Sequence, residues 1–453
     1  MVTSGRLPKE LALLRAKVAS SILRVLRIEG SSMIKITKFG GSSVSSAGQF
    51  KKVKAIVQAD PSRRFVVVSA AGKRDKFDSK ITDLLYLVNA HLQYHVTCDD
   101  LLGTIGQRFC EIAKELNLSY PISQEFGIFR ELAKRGEYTP EYIVSRGEYF
   151  TGRMMAEYLG FPFVDAADVI TFRPDSSIDM DKTAEKLKAA IGEEKCFVLP
   201  GFYGATEDGK IKLLDRGGGD ITGAIVAQCL GADLYENWTD VSGFLTADPR
   251  IVDNPKSISR ITYAELRELS YMGASVLHEE AIFPVKDAGI PLVIKNTNAP
   301  DDPGTVISEE TEPGVAEPLI TGIAGKKDFI AIHVKTNHMS SKVGYIRKTL
   351  SIFERYRVSI EHIPTGIDSF AVVVQGGDVK DCLYSIVADI KSELEPDEIK
   401  IVDRLALIST VGRNMPSRPG TSGRLFGELG HAGINIRMIA QGSEELDIVV
   451  GVD

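Results

Sequence analysis

The chain has 453 residues, of which 43% are hydrophobic and 25% charged, the balance of a globular protein rather than a disordered one. This length is too great for one ordinary hydrophobic core, and it predicts roughly two to four domains. The net charge of −7 argues against sequence-independent binding to nucleic acid, which requires a basic surface. No apolar run approaches the roughly 20 residues needed to span a bilayer, so we expect no membrane association.

The cysteines are odd in number and scattered, without the Cys-x-x-Cys spacing of a metal site. They are Cys98, Cys110, Cys196, Cys229 and Cys382. This pattern argues against a disulfide framework and against a structural zinc site. We therefore expect a cytoplasmic protein with no metal site built from its own side chains.

Residues 1–32 differ in composition from the rest of the chain. Six lysines and arginines stand against two glutamates, and apolar residues recur at near-helical spacing, which predicts a basic amphipathic helix. A targeting peptide is one interpretation. We favour an added leader, because Gly30-Ser31-Ser32-Met33 resembles a join between two segments.

From Met33 onward, short apolar strands alternate with helical stretches. Ile34–Phe39 predicts a strand, and Phe65–Val68 predicts another whose apolar residues do not alternate with polar ones. Such a run is typical of a strand buried on both faces, as in a parallel sheet covered by helices. Further strands are predicted at Phe161–Val164, Cys196–Leu199 and Lys212–Leu214. The pattern predicts an α/β domain over residues 33–310.

The remaining chain contains an internal repeat. Strand, loop, helix and two strands follow one another from Phe329 to Gln375, and the same order begins again at Arg404. Both copies match the start of a ferredoxin-like βαββαβ unit, which predicts units at residues 311–400 and 401–453. The second copy stops after its third strand, so we expect it to lack a closing helix and strand.

Two glycine-rich segments follow predicted strands and precede helices. In Lys38-Phe39-Gly40-Gly41-Ser42-Ser43 and Arg216-Gly217-Gly218-Gly219-Asp220, the glycines allow a phosphate to approach the backbone, and each segment carries one cation. A tight turn before a helix explains either segment alone, and Asp220 is also a plausible helix cap. Their joint presence in one α/β domain favours anion binding.

Two further segments are candidates for substrate binding. Ser145–Glu148 precedes a helix predicted at Tyr149–Tyr158, where Glu148 would either complement the helix dipole or receive a substrate ammonium group. Trp238–Arg250 is a turn-rich segment after a strand, and ligands of α/β proteins bind at the carboxyl ends of parallel strands.

Together these motifs resemble those of the aspartate kinase family. KFGGSSV at Lys38–Val44, Ser145–Glu148, RGGGD at Arg216–Asp220 and WTDVSGFLTADPR at Trp238–Arg250 occur in the order and spacing of that family. The resemblance runs from Met33 almost to the C-terminus. It implies a monofunctional enzyme with a three-layer αβα amino-acid kinase domain followed by two ferredoxin-like ACT domains.

The resemblance implies transfer of the γ-phosphoryl group of ATP to the side-chain carboxylate of L-aspartate, giving 4-phospho-L-aspartate, the first step towards lysine, threonine and methionine. Magnesium would bridge the ATP phosphates. Lys38 and Asp220 would be catalytic. By position, four residues would bind aspartate, namely Ser69, Thr82, Glu148 and Arg216. Those contacting ATP would be Lys38, Gly40, Gly41, Ser42, Gly218, Gly219, Thr239, Asp240, Arg250, Ser275 and Val276.

Two departures from the family pattern bear on these roles. Ser275 stands where many members carry a nucleotide-binding lysine, for which Arg250 or Lys295 would have to substitute. The segment Lys73–Lys80, between Ser69 and Thr82, is longer than in many relatives. The attacking carboxylate needs no general base, so we interpret His278 as a packing or loop residue.

The ACT resemblance implies regulation by an amino acid, with lysine as the expected effector and threonine next. Effector binding would involve Met339, Gly344, Tyr345, Ile346 and Glu361, although an amphipathic helix would also bury Tyr345 and Ile346 in a core. Pairing of ACT domains across chains implies a homodimer or a dimer of dimers.

Other functions remain open at this point. A kinase of glutamate, N-acetylglutamate or UMP would share the fold, although the repeat and Ser145–Glu148 argue against it. A fusion to homoserine dehydrogenase is excluded for this chain, since no dinucleotide-binding fingerprint follows the repeats. A catalytically silent amino-acid sensor is the alternative from another class, suggested by Ser275.

Overall fold

The computed structural model describes residues 33–192, 195–214, 217–274, 277, 283–310, 318–415 and 417–453. The predicted extension at residues 1–32 lies outside these ranges. Within them, the chain forms a seven-stranded sheet and a small three-stranded sheet, followed by a separate five-stranded sheet.

The elements of the first part follow one another in an alternating order. They are β1 (Lys35–Phe39), α1 (Ala47–Gln58), β2 (Phe65–Val68), α2 (Ile81–Gln93), α3 (Asp99–Glu115), α4 (Ile122–Lys134), α5 (Pro140–Leu159), α6 (Ala166–Val169), β3 (Thr171–Phe172), α7 (Met180–Ala190), β4 (Phe197–Pro200), β5 (Tyr203–Thr206), β6 (Ile211–Leu213), α8 (Gly218–Leu230), β7 (Leu234–Thr239), β8 (Arg260–Thr262), α9 (Tyr263–Tyr271), α10 (Phe283–Asp287), β9 (Leu292–Asn296) and β10 (Thr305–Ser308).

The seven-stranded sheet is mainly parallel and has the order β4-β2-β1-β7-β9-β10-β8. Its first five strands run parallel, whereas β10 is antiparallel to β9. Along β2, Phe65 and Val67 pack into the core on one face of the sheet, and Val66 and Val68 into the core on the other. The prediction of an α/β domain is confirmed, and burial of both faces explains the unalternating run of β2.

One predicted strand is reduced to a short contact. In Phe161–Val164, Phe163 forms an isolated bridge to Val198 of β4. Pro162 lacks the N–H group that a longer ladder would need, although its carbonyl accepts a hydrogen bond from Val198 N at 2.8 Å. The segment therefore lies against the edge of the sheet without extending it.

The second part is built around the antiparallel five-stranded sheet, with the order β12-β11-β13-β15-β14. Its elements are β11 (Gly322–Lys335), α11 (Tyr345–Arg355), β12 (Ser369–Gln375), α12 (Gly376–Val379), α13 (Leu383–Leu394), β13 (Glu398–Val411), α14 (Thr421–His431), β14 (Ile436–Ala440) and β15 (Asp447–Val452).

Strands β11 and β13 each serve both repeats. Their pairing shifts register near Phe329, and Asp328 and Arg404 there adopt positive φ angles of 71° and 58°. Beyond this bend, Phe329–Lys335 belongs to the first repeat. Before it, Gly322–Lys326 pairs with Leu407–Val411 of the second repeat. The closing strand that the second repeat lacks in chain order is therefore supplied from a segment preceding the first repeat.

The two parts share a continuous hydrophobic core. Leu266 and Leu269 of α9 belong to the same buried cluster as Ala324 of β11 and Leu407 of β13. Helix α14 lies on the opposite face of that sheet, where Phe426 packs with Ile448. Among the described residues, no helix combines the length and apolar character needed to cross a bilayer.

Candidate active site

The candidate site lies at the carboxyl ends of neighbouring parallel strands. Gly40 directly follows β1, and its N–H group donates to Trp238 O of β7 at 2.9 Å. Ser69 follows β2, and its N–H group donates to Phe39 O at 3.1 Å. Gly201 follows β4 and donates to Val68 O at 2.8 Å. This edge is where open α/β sheets bind their ligands.

The two glycine-rich segments meet at this edge. The buried side chain of Lys38 forms an ion pair with Asp220 of the second segment. A Cβ atom on Gly219 would lie 2.5 Å from Ser69 Oγ and 3.4 Å from Lys38 Cε. Gly217 has a φ angle of 82°, which favours glycine, and α8 begins immediately after it. The backbone N–H groups at the start of α8 therefore lie beside the Lys38 ammonium group, an arrangement suited to phosphate oxygens.

Asp220 is held from two directions by residues of β7. Asn237 Nδ2 donates to Asp220 Oδ1 at 2.9 Å, and Tyr235 OH donates to the carbonyl of Asp220 at 3.0 Å. No sequence motif pointed to either residue. The signal available was an asparagine in the strand that precedes the turn-rich segment Trp238–Arg250, because a buried amide needs hydrogen-bond partners.

Glu148 lies in the middle of α5 and not at a helix start. The helix begins at Pro140, capped by Thr139, so a role in complementing the helix dipole is wrong. The Glu148 side chain is buried, it accepts a hydrogen bond from the backbone N–H of Ala70, and Oε2 has no partner among the described residues. Burial raises the pKa of this carboxyl to about 8. A buried carboxyl with one unpartnered oxygen, beside the loop that follows β2, is suited to receiving a ligand cation.

The remaining substrate candidates fall in different places. Thr82 is the second residue of α2, whose first N–H group, from Ile81, donates to Ala71 O at 3.1 Å. Ser69 contacts the second glycine segment as described above. Arg216 lies outside the described residues.

The nucleotide candidates are only partly brought together. Thr239 ends β7, and its Oγ1 donates to Asp240 Oδ1 at 3.1 Å. Arg250 is exposed and paired with Asp248 at 2.7 Å. Lys295 donates to Asp302 O at 2.6 Å and lies over the Trp238 ring. Ser275, Val276 and His278 lie outside the described residues.

The chemistry of the site fits ATP phosphates better than a metal held by protein ligands. The described residues contain no cluster of three or more His, Cys, Asp or Glu side chains arranged to hold a metal ion. The Lys38 ammonium group and the glycine segments are anion-binding groups.

The effector candidates lie in the first repeat. Tyr345 is buried, and its OH donates to Leu394 O at 3.4 Å. Met339 is buried beside it, and Ile346 packs against the same cluster, so all three contribute to the hydrophobic core of this repeat. Gly344 precedes α11 with a φ angle of 76°, and the Glu361 N–H group donates to Val373 O at 2.9 Å.

Comparison with known families gives two matches. Residues 33–296 match the Amino acid kinase family, and residues 408–453 match the ACT domain. The chain is 35% identical over 433 residues to Aspartokinase 3 of Bacillus subtilis, an alignment that covers 92% of this chain and 95% of the relative.

Solved structures give the same relationship. The aspartate kinase of Clostridium acetobutylicum is 48% identical, with a TM-score of 0.86 and coverage of 93% of this chain and 96% of that one. Aspartokinase III of E. coli in complex with aspartate and ADP is 25% identical, with a TM-score of 0.70 over 92% of this chain and 96% of that one. The complex of aspartokinase III with lysine and aspartate has a TM-score of 0.72 at 25% identity, over 93% and 96%.

Proposed function

This chain belongs to the aspartate kinase family, and we propose that it transfers the γ-phosphoryl group of ATP to the side-chain carboxylate of L-aspartate. The products are 4-phospho-L-aspartate and ADP. The observation that carries the proposal is the meeting of two glycine segments around the Lys38–Asp220 ion pair, together with the buried Glu148 carboxyl, which is hydrogen-bonded to Ala70 in the loop after β2. Likeness to E. coli aspartokinase III, solved with aspartate and ADP, supports it.

The reaction requires positioning and charge neutralisation rather than a general base. The attacking carboxylate has an ordinary pKa of about 4 and is ionised at neutral pH. In phosphoryl transfer, most of the rate comes from in-line placement of the reactants and stabilisation of the charge on the transferring group. Lys38 would supply that charge, and Asp220 would hold the Lys38 ammonium group in place. A magnesium ion, held mainly by the ATP phosphates and water, would reduce the negative charge of the phosphates.

Binding of aspartate would rely on groups beside the loop after β2. Glu148 would receive the ammonium group, Arg216 the α-carboxylate, and Ser69 and Thr82 the reacting end. The glycine segments, with Ser42, Thr239 and Asp240, would contact ATP. Arg250 is paired with Asp248, so its part in nucleotide binding requires that pair to open.

Regulation by an amino acid is part of the same proposal. E. coli aspartokinase III forms a complex with lysine and aspartate in a T-state, and on that basis lysine is the first effector to test, with threonine next. An effector that binds one arrangement of the two parts more tightly shifts the population towards it. The chain would act as a homodimer or a dimer of dimers through its ACT domains.

The test is acceptor-dependent release of ADP from magnesium-ATP. L-Aspartate should support turnover, whereas glutamate, N-acetylglutamate and UMP should not. Turnover with one of the other acceptors would reassign the substrate. A folded protein that binds lysine and turns over none of the four would be a catalytically silent sensor.

A further inference from the structure

Arg108 is a buried cation for which the proposed reaction has no role. It lies on α3 and is only 2% exposed. Nη1 donates to Ser79 O at 2.6 Å, Nη2 donates to Gly72 O at 2.6 Å, and Nη2 lies 3.4 Å from Asp78 Oδ2. The guanidinium group thus bridges the two ends of the loop Gly72–Ser79, which separates Ser69 from Thr82.

This loop touches the first glycine segment through its backbone. Gly72 N donates to Gly41 O at 2.8 Å. A Cβ atom on Gly72 would lie 2.6 Å from Gly41 C and 2.8 Å from Ser42 N. No side chain separates the two segments, so a displacement of Gly72 is transmitted directly to the loop proposed to hold the ATP phosphates. At its other end, the loop leads into α2 and Thr82.

Burial of the Arg108 guanidinium group is costly, because few acceptors replace the water that it has lost. Burying a guanidinium group is unfavourable unless acceptors replace the lost water. Arg108 donates to two backbone carbonyls and forms an ion pair with Asp78. Asp78 also accepts a hydrogen bond from Arg74 Nε at 2.8 Å. Its own Nε has no partner among the described residues. Burial lowers the pKa of Arg108, and the neighbouring Asp78 opposes this effect.

The planar guanidinium group, with its donors in a fixed geometry, explains why arginine suits this position better than lysine. The Gly72 and Ser79 carbonyls are bound by the two terminal nitrogens of one rigid group, which fixes the distance between the ends of the loop. A lysine ammonium group keeps the charge but not this geometry.

We propose that Arg108 is a positioning residue for phosphoryl transfer, which holds the Gly72–Ser79 loop so that Gly41 and Thr82 keep their places on either side of the reacting groups. The proposal rests on the proposed function. Arg108 does not touch the reactants, and it acts through the two carbonyls.

The test compares Arg108→Lys with Arg74→Gln. The second variant removes the exposed partner of Asp78 in the same loop but leaves both carbonyl contacts intact. For Arg108→Lys we expect kcat/KM for aspartate to fall by about 100-fold, the effect of a displacement near 1 Å. For Arg74→Gln the change should stay within about twofold, as for most exposed substitutions. In Arg108→Gly, added guanidinium ion should restore part of the activity.

Hydrogen exchange of the full chain provides a readout that does not depend on turnover. Arg108→Lys should speed exchange of the amides in Gly41–Ser43 and Gly72–Ser79 without speeding it in β9, and Arg74→Gln should not affect Gly41–Ser43. If wild-type protein shows no aspartate-dependent turnover, the proposed function fails, and this exchange pattern alone decides the role of Arg108. Unchanged exchange at Gly41–Ser43, or activity that falls only in step with the melting temperature, would overturn it.

Discussion

Lys38 and Asp220 form the ion pair through which the two glycine segments contact each other. Lys38 is buried, Asp220 is largely so, and Asn237 fixes the Asp220 carboxylate. In a partly dehydrated site, a fixed cation stabilises developing phosphoryl charge far more than it would in water.

Lys38→Met should therefore lower kcat by about 10²–10³-fold, the usual effect of removing one charge-stabilising group. The unfolding midpoint should change much less, because the methionine retains the packing of the stem. Lys54→Met is the matched control, since Lys54 donates to a backbone carbonyl, Tyr158 O, away from the site. A loss of activity that follows the loss of stability would contradict the role of Lys38.

Glu148 gives the site a distinct dependence on pH. Its pKa of about 8 lies above the ordinary value of 4.5, so near pH 7 the free protein holds this carboxyl mainly protonated. A bound ammonium group favours the ionised form. Aspartate binding should therefore release a proton near pH 7, and the affinity should rise as the pH approaches 8. Calorimetry in buffers of different ionisation enthalpy measures this release, and its absence would remove Glu148 from the ammonium site.

The raised pKa of Glu148 also predicts an effect of pH on the stability of the fold. Between pH 4.5 and about 8, the folded protein retains a proton that the unfolded chain has lost, so Glu148 makes folding less favourable as the pH rises through this range. Glu148→Gln should raise the free energy of unfolding at pH 7 more than at pH 5, while the KM for aspartate increases. Equal changes at the two pH values, measured by urea denaturation, would contradict the burial of an ionisable group here.

At the scale of elements, helix α5 is longer than the helix that the sequence pattern predicts. The sequence predicts a helix at Tyr149–Tyr158, whereas α5 runs over Pro140–Leu159. Gly147 suggests a loop, but its lack of a side chain serves packing. A Cβ atom there would lie 3.0 Å from the Ala70 Cβ. The close approach of α5 to the β2 loop is a tertiary effect that no local pattern encodes, and it places Glu148 beside Ala70.

The contact between the loops after β1 and β2 can be tested by adding one methyl group. Gly72→Ala places a Cβ atom 2.6 Å from Gly41 C, a backbone atom that cannot move without displacing the loop. We expect kcat/KM to fall by about 100-fold. Gly127→Ala on α4 is the control, since a Cβ atom there meets no other heavy atom within 4 Å. Similar kinetics for the two variants would show that the contact does not matter for catalysis.

At the scale of the whole molecule, the kinase and regulatory parts are joined by a buried carboxylate. Glu265 of α9 is fully buried, and it accepts from Thr321 Oγ1 and Arg413 Nη1, both at 2.5 Å. Thr321 directly precedes β11, and Arg413 follows β13. Helix α9 of the kinase part is therefore tied to the ends of both shared strands of the regulatory sheet.

Removing the Arg413 cation should weaken this junction strongly. Arg413→Met leaves the Glu265 carboxylate buried without its charged partner, at a cost of about 3–5 kcal/mol in unfolding free energy. Arg418→Met, which changes an exposed arginine in the same loop, should cost less than about 0.5 kcal/mol. Urea denaturation of both variants decides the point, and equal stabilities would show that the ion pair is not needed to join the two parts.

The overall organisation was largely predictable, because it depends on patterns within short segments. The parallel sheet followed from the run Phe65–Val68, and the repeat followed from the order of strands and loops. The placement of Gly322–Lys326 in the second repeat did not follow, since its pairing with Leu407–Val411 joins segments more than 80 residues apart. In the site, glycine and charge patterns pointed to both glycine segments that the fold brings together, whereas Asn237, Tyr235 and Arg108 make their contacts with residues of other elements or loops.

The most direct measurement of the central claim is the fate of the phosphoryl group. With magnesium-ATP, L-aspartate and hydroxylamine as a trap for the acyl phosphate, the wild-type protein should yield aspartyl hydroxamate in amounts equal to the ADP formed, and Lys38→Met should yield almost none. Formation of ADP without hydroxamate, or undiminished hydroxamate from the Lys38 variant, would contradict phosphoryl transfer to aspartate between the two glycine segments.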